Sequence, residues 1–124
     1  MTPMLTESAW RLFTTEFQQL SSLVQKRIEV QWHYHRRSDG PGLGLEDLLA
    51  YADEFGRMLK VVYRYSLMDA LREETKWYAR VFSPRGSGHL AFAAILESWI
   101  FAIQGVIKPP ECNELSAPLK RLHE

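Results

Sequence analysis

The sequence predicts an all-α fold: an antiparallel helical bundle of three long helices with a short C-terminal helical tail. Three observations lead there. Helix breakers cluster: apart from isolated positions, proline and glycine gather at 38–44, 83–88 and 108–110, leaving three long segments almost unpunctuated. Both residues cost most inside helices, so their absence is a helix signal. Within those segments apolar residues recur every three or four positions. The composition, 46% apolar and 24% charged over 124 residues, is that of one globular domain with a real core.

The first helix is expected over about 6–37. Phe13, Phe17, Leu20, Val24 and Ile28 form its stripe, with Leu12 and Leu23 widening it, and Arg36 and Arg37 suit the dipole of its last turn. Ser38-Asp39-Gly40-Pro41-Gly42 then turns the chain. The second helix is expected over about 45–82. Leu48, Ala52, Phe55, Leu59 and Val62 line one face, and Glu46, Asp53, Arg57, Lys60 and Arg64 the other, with Asp53 and Arg57 an i,i+4 pair. Such a span is long for one helix, and Tyr65–Met68 is where a break would fall. Val61-Val62-Tyr63-Arg64-Tyr65 is rich in strand formers, but the stripe runs through it in phase. Ser87 can cap a third helix over 89–107, and the tail 111–124 has one apolar edge, Leu115, Leu119 and Leu122, over one or two turns. A globin-like arrangement has the same periodicity as an up-down bundle.

The third helix is apolar nearly all round: Phe92, Leu96, Trp99, Ile103 and Val106 on one face, Ala93 and Ile100 on another, Ala94 and Phe101 on a third. Such a helix is normally buried on every side. A small bundle has no central place for it, so a homodimer through residues 90–107 is expected, unless the tail folds back over it. The run carries Glu97 and falls short of the roughly 20 residues of a membrane span.

Beyond Val62 the stripe of the second helix turns polar, at Ser66, Asp69, Glu73 and Arg80. An antiparallel hairpin folded at residue 41 sets Glu73 level with Trp10 and Arg11, and a fold at 86 sets it level with Trp99. Arg11, Glu73, Trp77, Arg80 and Trp99 are therefore the candidate ligand-binding residues. They form either a pocket with aromatic walls or a layer pairing Glu73 with Arg11 or Arg80.

Other chemistry is weakly signalled. Fifteen lysines and arginines balance fifteen aspartates and glutamates, so the broad basic surface of a nucleic-acid binder is missing. His33 and His35 point about 200° apart on a helix and do not share a metal there. His89 opens an apolar helix, as a haem ligand would. Cys112 is alone and flanked by acids, which oppose a thiolate. No phosphate loop, nucleophile elbow or zinc-protease motif appears. No metal, cofactor or catalysis is expected. With no basic-then-apolar leader, the expected location is cytoplasmic.

Arg85-Gly86, Phe92, Leu96-Glu97, Trp99, Ala102-Ile103, Pro109-Pro110-Glu111 and Asn113-Glu114-Leu115 together resemble the helical N-terminal domains of the bacterial stressosome sensor family. Those domains are dimeric and globin-like without haem, and similar helical segments precede cobalamin-binding domains. The likeness spans roughly 45–119. A departure from the family is expected in the absence of an output domain after it. The resemblance implies a dimeric sensory or protein-interaction module and supplies no catalytic residue. The alternative is a small-ligand or cofactor binder of haem or cobalamin type.

Overall fold

In a computed structural model describing residues 6–35, 44–67, 69–73, 76 and 88–123, every regular element is α-helical. The all-α expectation holds, but the helices divide differently from the three long ones expected.

The first segment is two helices, α1 (Glu7–Thr15) and α2 (Phe17–His35), meeting at Glu16 with φ −91° and ψ 7°. The Thr14 hydroxyl donates to the Trp10 carbonyl at 2.9 Å. This back-bonding competes with the helix ladder and bends helices. Hydrogen bonding still runs through the bend, from Glu16 N–H to the Leu12 carbonyl and from Leu20 N–H to the Glu16 carbonyl. The expected stripe is intact: Phe13, Leu20, Val24 and Ile28 are buried and Phe17 packs against them.

The second segment forms α3 (Leu45–Tyr65) and stops at Ser66, in the left-handed conformation with φ 55°. Leu67 N–H reaches back to the Val62 carbonyl at 3.0 Å, the six-residue closure of a Schellman turn. The chain is helical again at 69–73 and at 76. The expected stripe Leu48, Ala52, Phe55, Leu59 and Val62 is buried throughout. Asp53 and Arg57 pair at 2.8 Å, as their spacing predicts.

Three ring contacts set the register. Arg64 lies over Trp10, Phe13 meets Tyr63 edge-on, and Lys60 lies over Phe17. Residue numbers rise on one side as they fall on the other, so α1 and the start of α2 run antiparallel to the second half of α3. The hairpin has the expected sense but another register: Arg64, in place of Glu73, stands beside Trp10.

The third segment is α4 (Gly88–Val106), and the tail forms a full helix, α5 (Glu111–His123), longer than the expected turn or two. Leu115 and Leu119 are fully buried and Leu122 partly. Glu114 accepts hydrogen bonds from the Thr6 N–H and hydroxyl at 3.3 and 3.0 Å, tying α5 to the start of α1. α4 packs on α2, α3 and α5. It has a central place within one chain after all, because the tail supplies the covering helix. The Ser87 cap lies outside the described residues. No helix among them is long and apolar enough to cross a membrane.

Candidate functional site

Of the five expected site residues, Arg11, Glu73 and Trp99 are described, and none of these three pairs with another. Glu73 is exposed, its side chain 70% accessible, with Lys76 as partner at 3.4 Å. Arg11 is exposed and pairs with Glu7 one turn earlier. Trp77 and Arg80 lie outside the described residues. Trp99 is fully buried. A buried layer joining Glu73 to Arg11 is therefore corrected. Ser66 ends the helix, so the phase that carried Glu73 inward does not continue.

Trp99 instead anchors the core. Its indole Nε1–H donates to the Ala52 carbonyl at 3.0 Å, and it meets Phe13 and Phe17 with centroids 5.9 and 5.7 Å away. Gly56 permits this approach: a Cβ there would overlap the indole at Cζ2 and Cη2. A lone glycine inside an apolar helical stripe is the sequence signal for such an approach, and the reading by periodicity passed over it. Tyr63 is buried beside Phe13, and its hydroxyl donates to the Leu115 carbonyl at 2.7 Å. Burial pushes its phenol well above the usual tyrosine range. These groups are saturated with partners and leave no free chemistry.

The polar feature of α4 is at its seam with α2. Arg27 Nη1 donates to Ser98 Oγ at 3.0 Å, and Ser98 Oγ donates to the Ala94 carbonyl at 2.7 Å. The same guanidinium lies over the ring of Phe101, 5.3 Å from its centroid. Phe101 is 57% exposed, though it belongs to the most apolar of the five described helices. Ile100 and Ala94 beside it are half-buried, and among the described residues nothing stands within 4 Å of where a Cβ would sit on Gly105. This seam offers surface recognition: a ring held by a cation on an open helix face. The sequence places Phe101 on one face with Ala94 but gives no sign of Arg27, because periodicity does not say which helix packs beside it.

Among the described residues no group of three or more His, Cys, Asp or Glu is placed to hold a metal ion. His33 is exposed. The side chain of His35 and that of His89 lie outside the described set. Cys112 is buried, with its Sγ 3.7 Å from Asn113 Oδ1. No family model, curated protein or solved structure matches the chain.

Proposed function

We propose that the chain is a non-catalytic protein-interaction module of the bacterial sensory type, acting as a homodimer through the open face of α4. The observation that carries the reading is Phe101, a large ring left mostly exposed and held in place by Arg27. Scattered exposed apolar residues are ordinary. This one continues over half-buried Ile100 and Ala94 to open Gly105, so a second helix can approach closely. A standard interface hides about 800 Å² per partner, more than one ring supplies, and the length of α4 provides the rest. The fold supports a narrower contact than a helix buried on every side, since α2, α3 and α5 already cover most of α4.

Sedimentation at micromolar concentration tests the proposal. The wild type should run as a dimer and Phe101→Glu as a folded monomer. Losing the ring and bringing a carboxylate into the apolar contact should weaken association by about 100-fold or more. A monomeric wild type rejects the reading.

A further inference from the structure

A second surface lies at the end of α3, away from Phe101 in sequence and on different helices. Val61, Tyr65 and Leu67 are 50%, 61% and 44% exposed. The other large exposed hydrophobics among the described residues, Val30 and Phe101, stand alone in sequence. Clustering, rather than exposure, marks an interaction site. The left-handed Ser66 and the bond from Leu67 N–H to the Val62 carbonyl hold Leu67 next to the helix end.

Beside this apolar stripe runs a cationic one. Lys60 and Arg64 are one turn apart, as are Val61 and Tyr65, so the stripes are parallel. Lys60 Nζ sits 4.2 Å from the centroid of Phe17, and the Arg64 guanidinium lies over both Trp10 and Tyr65, 5.5 and 5.4 Å away. Ring faces orient a cation without neutralising it. The neighbouring charges are already matched, Arg11 with Glu7 and Arg57 with Asp53. Lys60 and Arg64 have no carboxylate within ion-pair distance among the described residues, so their charge is available to a partner.

We propose that this surface docks an acidic amphipathic helix of another protein. Carboxylates one turn apart would meet Lys60 and Arg64, and the apolar side chains between them would cover Val61, Tyr65 and Leu67. A membrane fits less well. Each basic residue adds only about 1 kcal/mol at an anionic bilayer, and two uncompensated cations on a chain of zero net charge make a weak adsorber.

The test uses the full chain and a labelled synthetic helix with leucine and glutamate one turn apart, beside the same helix with glutamine for glutamate. The glutamate helix should bind saturably, and added salt should weaken it. Affinity should fall at least about tenfold for the glutamine helix, for Lys60→Glu with Arg64→Glu, and for Tyr65→Ser with Leu67→Ser, each variant first shown to melt as the wild type does. Phe101→Glu should bind unchanged, which separates this surface from the dimer face. Absence of saturable binding, or equal binding by the variants, overturns the proposal. It also falls if phosphatidylserine vesicles bind in place of the helix, or if Tyr65→Ser with Leu67→Ser instead abolishes self-association.

Discussion

Position 56 reverses a general preference. Inside a helix alanine normally outdoes glycine by about 1 kcal/mol. Here the added methyl would meet an indole that is fully buried and hydrogen-bonded to Ala52. Overpacking of a closed core costs about 1–3 kcal/mol, so Gly56→Ala should lower stability in a denaturant melt despite its better propensity; a raised midpoint would mean that the ring moves aside freely. Tyr63 carries the other residue-scale prediction. Tyr63→Phe leaves the Leu115 carbonyl buried without its 2.7 Å partner and should cost about 1–3 kcal/mol. The phenol titrates higher in the folded chain than in the unfolded chain, where it loses its proton near pH 10. Above that pH the unfolded state holds fewer protons, so the stability Tyr63 contributes is complete below pH of about 10 and declines above it. Tyr63→Phe should therefore show a shallower alkaline loss of stability than the wild type, and identical slopes would contradict the burial.

At the scale of elements, helix ends decide the layout. α3 stops at Ser66, inside the Tyr65–Met68 stretch where a break would fall, and the left-handed residue is a serine where glycine is usual. An L-residue there costs about 1–2 kcal/mol relative to its right-handed form, which glycine avoids. Ser66→Gly should raise the thermal midpoint, by about 0.5–1 kcal/mol in stability, and leave the helix content unchanged. A destabilised variant would show that the serine makes an interaction outweighing its strain. The bend at Glu16 is gentler, since hydrogen bonds cross it. Phe13 on α1 and Phe17 on α2, four residues apart across it, both meet Trp99.

For the whole molecule, α5 decides whether one chain can bury α4. Leu115 and Leu119 are fully buried, and Leu115 also accepts the Tyr63 hydrogen bond. A chain truncated after Lys108 would expose the apolar side of α4 that α5 covers and strand the Tyr63 hydroxyl. It should lose its cooperative melt or aggregate; a truncated chain melting like the wild type would show that the tail is dispensable. The same packing narrows what a partner can cover, leaving Phe101 and its neighbours as the open part of α4 among the described side chains.

The sequence by itself determined the helical class, the buried stripes of α2 and α3, the Asp53–Arg57 pair and the extent of α4. Each follows from spacing along one helix, where 3.6 residues per turn turns sequence position into direction. Only the tertiary structure decided the rest. Which residues stand level across two helices depends on how the helices pack: Phe13 against Tyr63 and Lys60 over Phe17 put Arg64 beside Trp10, and the stop of α3 at Ser66 breaks the phase that would have carried Glu73 inward. Whether α4 is covered by its own chain depended on α5, whose short apolar edge gives little sign of its role until Leu115 and Leu119 close over the core. Trp99 was legible as an inward-facing ring. Its place against the α3 backbone was not, because that needs the missing side chain of Gly56 and the Ala52 carbonyl on another helix, a contact that periodicity within either helix does not encode.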